Sequence, residues 1–389
     1  MHPAQLRTAR RTHGFTESVI REMTRVASQS DAVNLAQGFP DFPAPSLLKD
    51  AACRAIAADV NQYAVTWGTS SLRGALVDAY RRWYDLEIDG DREITVTCGA
   101  TEAMVAVLLA TLNPDDEVVI LEPFYENYGP DAILSAARPI HLPLEAPDFR
   151  IDGDALRHRV TDRTRAVILN TPNNPTGRVF SRDELNAVAA VCRERDLLLV
   201  TDEIYEHIVY DGEHICPATL PGMRDRTIVV SGASKTFAVT GWRVGTIVAP
   251  PDLTDAIRKV HDFLTVGAPA PLQEAVATAL QQLGGDYYRR LAEDYRERRD
   301  VMVAGLSAAG FRCRAPEGAY YVLADHSSLS DLDAMAFALR LAREARVACV
   351  PGSSFFSEPE RGRTLVRFAF CKRLETLEEA VDRLVRHFG

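Results

Sequence analysis

The sequence predicts an α/β fold: a mostly parallel central sheet flanked by helices, followed by a smaller α+β unit. Three observations carry this. Short apolar, β-branched runs alternate with helix-patterned segments between residues 93 and 248. Several of these runs are apolar through their centres, the pattern of strands buried on both faces. Beyond about residue 285 the pattern changes to a long charged helix and shorter strands.

The elements follow in order. Residues 93–98 alternate and are β-branched, so they read as a strand. Residues 101–112 have helical character, and Asn113-Pro114-Asp115 stops them. Strands are expected at 117–121 and 165–170. Ser181-Arg182-Asp183-Glu184 is a capping box that opens a helix to about residue 195. Residues 197–201, 227–230 and 244–248 are further strands. The later part reads as a helix at 286–309, a strand at 319–324, a helix at 331–344, strands at 347–350 and 364–370, and a helix at 375–387. The first forty-odd residues are polar and proline-interrupted and are expected to pack on this smaller unit. The expected domains are 47–285 (large) and 1–46 with 286–389 (small).

Composition narrows the function. The chain has 389 residues, 47% hydrophobic and 25% charged, as in a soluble globular protein large enough to hold a cleft. Its net charge of −10 argues against nucleic-acid binding. The basic stretch 7–11 is short, lacks aromatics and reads as a surface patch; no apolar segment follows it, which argues against a secretory signal. The longest apolar run, 103–112, is about half of what a membrane helix needs. Seven cysteines lie far apart, none closer than Cys349 and Cys371, so neither a metal motif nor a disulfide framework is expected. Free thiols in a reducing cytoplasm are the simplest expectation.

Open parallel sheets bind ligands outside the carboxyl ends of their strands, and four such ends here carry unusual residues. Cys98-Gly99-Ala100-Thr101-Glu102 opens a helix with small residues, leaving backbone N–H groups for a phosphate or simply a capped turn. Residues 165–170 end in Thr171-Pro172-Asn173-Asn174-Pro175-Thr176-Gly177, a stiff loop that presents Asn174 above the sheet. Residues 197–201 run into Asp202-Glu203-Ile204-Tyr205; Asp202 is either a helix cap or a carboxylate that needs a cationic partner. Residues 227–230 are followed by Ser231-Gly232-Ala233-Ser234-Lys235. Of 44 basic residues only Lys49, Lys235, Lys259 and Lys372 are lysines. Lys49, Lys259 and Lys372 stand in polar contexts and are expected at the surface. Lys235 sits between a buried-type strand and the apolar Phe237-Ala238-Val239, where partial desolvation lowers the amine pKa and makes it a nucleophile toward carbonyls. An amine, a carboxylate, an amide, a phenol and a phosphate cradle together match pyridoxal phosphate.

The segments NTPNNPTG (170–177), TDEIY (201–205) and SGASKTFAVTGWRVG (231–245) resemble those of class I/II aminotransferases, the fold-type I pyridoxal-phosphate enzymes. NLAQGFPDFP (34–43), NQYAVTWG (61–68) and EPFYENY (122–128) resemble the branch that holds kynurenine/glutamine and methionine aminotransferases. The resemblance runs from about residue 34 to 370. It implies that Lys235 forms the Schiff base and then acts as general acid/base. It also implies that Asp202 pairs with the pyridine nitrogen, that Asn174 and Tyr205 hold the phenolic oxygen, and that Tyr125 stacks on the ring. Ala100, Thr101 and Arg243 are implied in phosphate binding, and so is one of the two hydroxyls Ser231 and Ser234, because Gly232 stands where relatives place a serine. Tyr63 would reach the phosphate of a neighbouring subunit, which implies a homodimer. Arg367 would bind the substrate α-carboxylate, with Gly38 assisting through its backbone. Where relatives carry a tryptophan at the substrate pocket, Phe15 is the nearest aromatic here.

The implied reaction is ping-pong transfer of an amino group from an L-amino acid to a 2-oxo acid. No second basic residue for a substrate's far end is identifiable among forty arginines. Phe15, Tyr63, Tyr125 and Phe355 instead favour neutral, hydrophobic or aromatic side chains. The alternative is a β-lyase, decarboxylase or oxidase on the same fold. A regulator with an aminotransferase-like domain would need a helix-turn-helix unit before residue 34, where about thirty residues are too few. A nicotinamide enzyme would need G-x-G-x-x-G after a strand, which is missing.

Overall fold

The computed structural model describes residues 8–389. Arg7, where the basic stretch begins, lies outside the described residues; Thr8 to Arg11 are exposed.

Seven strands form the main sheet: β1 (Ile94–Thr97), β2 (Glu117–Glu122), β3 (Arg138–Pro143), β4 (Thr164–Asn170), β5 (Leu198–Asp202), β6 (Thr227–Gly232) and β7 (Gly245–Val248). Their spatial order is β1-β7-β6-β5-β4-β2-β3. Strands β2 to β6 pair in parallel, and β7 runs antiparallel to both its neighbours. The near-continuous apolar runs of β2, β4 and β5 are buried on both faces, as their composition requires. One face packs on the helices Ala100–Thr111 and Pro251–Leu264 through Ala103, Val107 and Ile257. The other packs on the helix Arg182–Glu194 through Leu185, Val188 and Cys192. That helix opens with the capping box read from the sequence: Ser181 Oγ accepts from Glu184 N, and Glu184 Oε2 accepts from Ser181 N at 2.9 Å.

A second, antiparallel sheet has the order Val350–Pro351, Leu365–Ala369, Tyr321–Asp325, Arg312–Cys313. The helices Gly285–Ala308 and Leu374–Phe388 pack on each other beside it. The apolar core is continuous from Val119, Val167 and Leu199 of the main sheet to Val322, Val366 and Phe368 of the second. The helix Val19–Gln29 buries Ile20, Met23 and Ala27 in that same core, and Val33–Asn34 pairs in parallel with Val347–Ala348.

Three of the elements that differ from the sequence reading have a clear physical cause. β3 is missing from it because the strand begins Arg-Pro and ends in Pro, a composition tolerated only at a sheet edge, which is where it lies. The run 347–350 is not one strand: Val347–Ala348 pairs with the N-terminal segment and Val350–Pro351 with Leu365–Ala369. Its residues are all buried, so no alternation distinguishes the two partners. The expected helix 331–344 starts at Ala334, after Asp333 caps it, and ends in a π-turn, Leu341–Ala345.

One lysine is misplaced by the sequence reading. Lys49 and Lys259 are exposed, but Lys372 is only 3% exposed. Its Nζ donates to Phe39 O at 2.7 Å and lies 3.7 Å from the Phe39 ring centroid. A carbonyl and an aromatic face replace the water that a charged amine ordinarily keeps. All seven cysteines are free thiols. Among the described residues no helix is long and apolar enough to cross a membrane.

Candidate active site

The carboxyl ends of β4, β5 and β6 lie side by side and open into a cleft of about 520 Å³. Asn170 ends β4 opposite Asp202 at the end of β5. Asn170 Nδ2 donates to Asp202 O at 2.8 Å, and its Oδ1 accepts from Asn174 N at 2.7 Å. The proline-bounded loop is thus tied to the sheet, and Asn174 faces the cleft. Gly38, Ala100, Thr101, Tyr125, Asn174, Asp202, Tyr205, Ser234, Lys235, Arg243 and Arg367 all line this one cleft.

Lys235 sits on the short helix Ala233–Thr236 that follows β6. Its Nζ donates to Gly38 O at 3.3 Å. Burial pushes the amine down to about 8, a pull that Arg243 and Arg367 add to and that Cys371 and Asp202 oppose. Asp202 is 7% exposed, and burial raises its carboxyl above the usual range. The Tyr128 hydroxyl, donating to Asp202 Oδ2 at 2.7 Å, and the Ile204 N–H, donating to Oδ1 at 3.3 Å, work the other way. Tyr205 Oη lies 3.0 Å from Tyr321 Oη, and burial holds the Tyr205 phenol well above its usual range.

Arg367 is completely buried on the strand Leu365–Ala369. Its Nη1 donates to Asn174 Oδ1 and its Nη2 to Ala36 O, both at 2.7 Å. Its guanidinium carbon lies 4.2 Å from the Tyr321 ring centroid and 5.0 Å from that of Phe355. Two donors fixed in a plane between aromatic faces suit a carboxylate.

At the other end of the cleft, Gly99 caps the helix Ala100–Thr111 at φ +83°, and a Cβ there would collide with the Arg243 guanidinium. A Cβ on Gly245 would strike Gly99 and the Ala100 nitrogen. These glycines let an arginine and a helix N-terminus converge, the arrangement that binds a phosphate. Ser234 lines the cleft, whereas Ser231 donates to Glu206 Oε1 at 2.7 Å and does not line it.

Phe15 does not line the cleft, and Tyr63, expected at the phosphate of a neighbouring subunit, is 90% exposed. Phe15 precedes the cap of the first helix, and the turn that reaches the cleft is the next one, with Ser18, Ile20 and Arg21. Phe355 lies behind Arg367, so of the four aromatics named for substrate contact only Tyr125 lines the cleft. Sequence reasoning missed Tyr128, Tyr321, Gln37 and Arg21. Tyr128 carried a signal, three residues after Tyr125 in EPFYENY; Arg21 carried none.

Residues 30–384 match the family model "Aminotransferase class I and II". The chain is 40% identical to a probable N-succinyldiaminopimelate aminotransferase of Mycobacterium tuberculosis, covering 97% of this chain and 98% of the relative. It is 36% identical to the methionine aminotransferase of Escherichia coli, covering 94% and 95%. The solved N-succinyldiaminopimelate aminotransferase of M. tuberculosis superposes with a TM-score of 0.95, covering 97% of this chain and 99% of that one. The chain therefore belongs to the class I and II aminotransferases.

Proposed function

We propose that this aminotransferase uses pyridoxal phosphate and moves an amino group from an L-amino acid to a 2-oxo acid in a ping-pong cycle. The observation that carries the proposal is Lys235: a half-buried amine with a depressed pKa, in one cleft with Asp202, Asn174, Tyr205 and Arg367. The residues fit the cofactor. The Gly99–Arg243 cradle suits its phosphate. Among the described residues no Lys, Arg or His nitrogen lies within 4.0 Å of the Asp202 carboxylate, and a buried carboxylate without a cationic side chain suits a protonated ring nitrogen. When bound, the cofactor supplies an aldehyde for the lysine and a ring that takes up the electron pair released at the substrate Cα.

The chain's own residues do the rest. Arg243, Ser234 and the N–H groups at Ala100 and Thr101 bind the phosphate, and Tyr125 covers one ring face. Asn174 and Tyr205 donate to the phenolic oxygen; Asn174 can do so with its Nδ2 because its Oδ1 is committed to Arg367. Asp202, whose ionised form the Tyr128 hydroxyl favours against burial, stabilises positive charge at the ring nitrogen. Arg367 orients the substrate carboxylate so that its Cα faces Lys235 Nζ, which would take the Cα proton and hold it for return. Ile20, Met104 and Tyr125 offer an apolar wall to neutral side chains.

We further propose the division 47–285 and 1–46 with 286–389 for the domains, a cytoplasmic location, and a homodimer. Supporting the dimer, Tyr63 and Val65 on one loop and Phe263, Leu264 and Val266 at the end of the helix Pro251–Leu264 are exposed apolar residues. The loop and the helix are joined by His261, which bonds Thr66 O at 2.8 Å. In such a dimer Tyr63 would enter the partner's cleft.

The test is the absorbance of the purified protein with single amino acids and no oxo acid. A visible band that converts to the near-ultraviolet band of pyridoxamine phosphate, with one oxo acid released per site, is expected. Release of ammonia, carbon dioxide or peroxide instead would assign the β-lyase, decarboxylase or oxidase alternative.

A further inference from the structure

A further basic side chain, Arg21, lines the cleft. Arg21 lies in the first turn of Val19–Gln29 and lines the cleft with Ser18, Ile20, Gln37 and Asn127. Arg25, one turn on, is paired with Glu17 at 2.6 Å. Arg21 has no such partner: among the described residues no carboxylate oxygen lies within 4.0 Å of its guanidinium. A cation in the first turn of a helix also works against the helix dipole. Its position is locally unfavourable unless an anion meets it.

The surroundings leave that charge available. Glu17 is engaged by Arg25. Glu22 is exposed on the same helix and does not line the cleft. Glu126 lines the cleft and accepts from the Ser18 hydroxyl. Asp131 also lines it, but burial pushes its carboxyl up to about 7, which favours its neutral form. Gln37 adds neutral donors: its Oε1 accepts from Thr24 Oγ1 at 3.2 Å, which leaves both Nε2 hydrogens for a ligand.

We infer that Arg21 receives a carboxylate at the far end of the substrate, so that the cleft takes α-amino and 2-oxo acids carrying a second, distal carboxylate. Arg367 holds the α-carboxylate, Arg21 the distal one, and Gln37 assists. The inference rests on the reading of the cleft as an aminotransferase site. It lets one cleft alternate between a neutral donor, packed on Ile20 and Tyr125, and a dicarboxylic partner that reaches Arg21.

Two measurements test it. The first uses the cofactor-loaded protein and non-reacting acids, with succinate, glutarate and adipate compared by calorimetry with monocarboxylates of equal length. At least one dicarboxylate is expected to bind roughly 10- to 100-fold more tightly than its monocarboxylate counterpart, the range for a charged hydrogen-bonded contact. That advantage is expected to vanish in Arg21→Gln and to return in part in Arg21→Lys. The second compares the half-reaction kcat/KM for glutamate or 2-aminoadipate with that for norleucine. The ratio is expected to fall by the same factor in Arg21→Gln, chiefly through KM. A dicarboxylate advantage that persists in Arg21→Gln overturns the inference, as does a loss shared equally by mono- and dicarboxylates or the absence of any advantage in the parent protein. If no amino acid drives the half-reaction of the parent protein, the proposed function fails, while the binding series still reports on Arg21.

Discussion

The floor and the rim of the cleft are held by different means. At the floor, Asn170, Asn174, Asp202 and Lys235 stand at or just beyond the ends of adjacent parallel strands, and each is fixed by backbone register or a hydrogen bond to its neighbour. At the rim, Ser18, Ile20 and Arg21 are delivered by a helix from the start of the chain, held by three apolar residues buried in the core. The floor has little freedom to vary without breaking the sheet; the rim can change one side chain and leave the core untouched. The proposed chemistry draws on the floor, and the proposed choice of substrate on the rim.

Variants can break or sharpen that contrast. The largest effect is expected for Lys235→Ala, roughly 10⁴-fold or more in half-reaction rate with any amino acid, measured as oxo acid formed per site in a single turnover. A variant that keeps a tenth of the parent rate would remove Lys235 from the floor's chemistry. Asp202→Asn keeps the shape and removes the charge, and a loss of about 10²- to 10³-fold in kcat is expected, alike for neutral and dicarboxylic substrates. A loss confined to one substrate class would erase the distinction between floor and rim.

Tyr128→Phe is expected to cost about tenfold, with a particular pH signature. The tyrosine hydroxyl lowers the Asp202 pKa, so its removal raises it. Because the ionised form is the useful one, the acid limb of the kcat profile should move to higher pH. A loss without that movement would make Tyr128 a packing residue only. The smallest effect is expected for Lys372→Met, which leaves Phe39 O without its donor. A loss of about 1–3 kcal/mol in denaturant unfolding is expected, with the ratio between substrates unchanged.

What the sequence disclosed follows the same contrast. Lys235, Asp202, Asn174 and Tyr205 were legible because a parallel sheet fixes where a strand-end residue points, and each lies in a short, punctuated segment; Arg243, just ahead of the antiparallel β7, was legible through the resemblance of segment 231–245. That Ser234 lines the cleft and Ser231 does not was not legible, because Glu206 captures the Ser231 hydroxyl from a distant point of the chain. Nor was Tyr128 as the partner of Asp202, a contact across 74 residues of chain. Phe15 was chosen for its aromatic ring, whereas the turn of helix that reaches the cleft begins at Ser18. Lys372 read as surface because its neighbours are polar; only the fold brings the carbonyl and ring of Phe39 to its amine.

The bracing of Arg367 has a consequence for how the enzyme comes into being. Its two hydrogen bonds reach across 193 and 331 residues of chain, to the loop after β4 and to the segment ahead of the first helical crossovers. No contiguous fragment that lacks the first forty residues or the last twenty-five can assemble this carboxylate receptor. A chain lacking either end would carry Lys235 without the braced arginine proposed to dock an amino acid against it. Competence for substrate therefore depends on both ends of the chain at once.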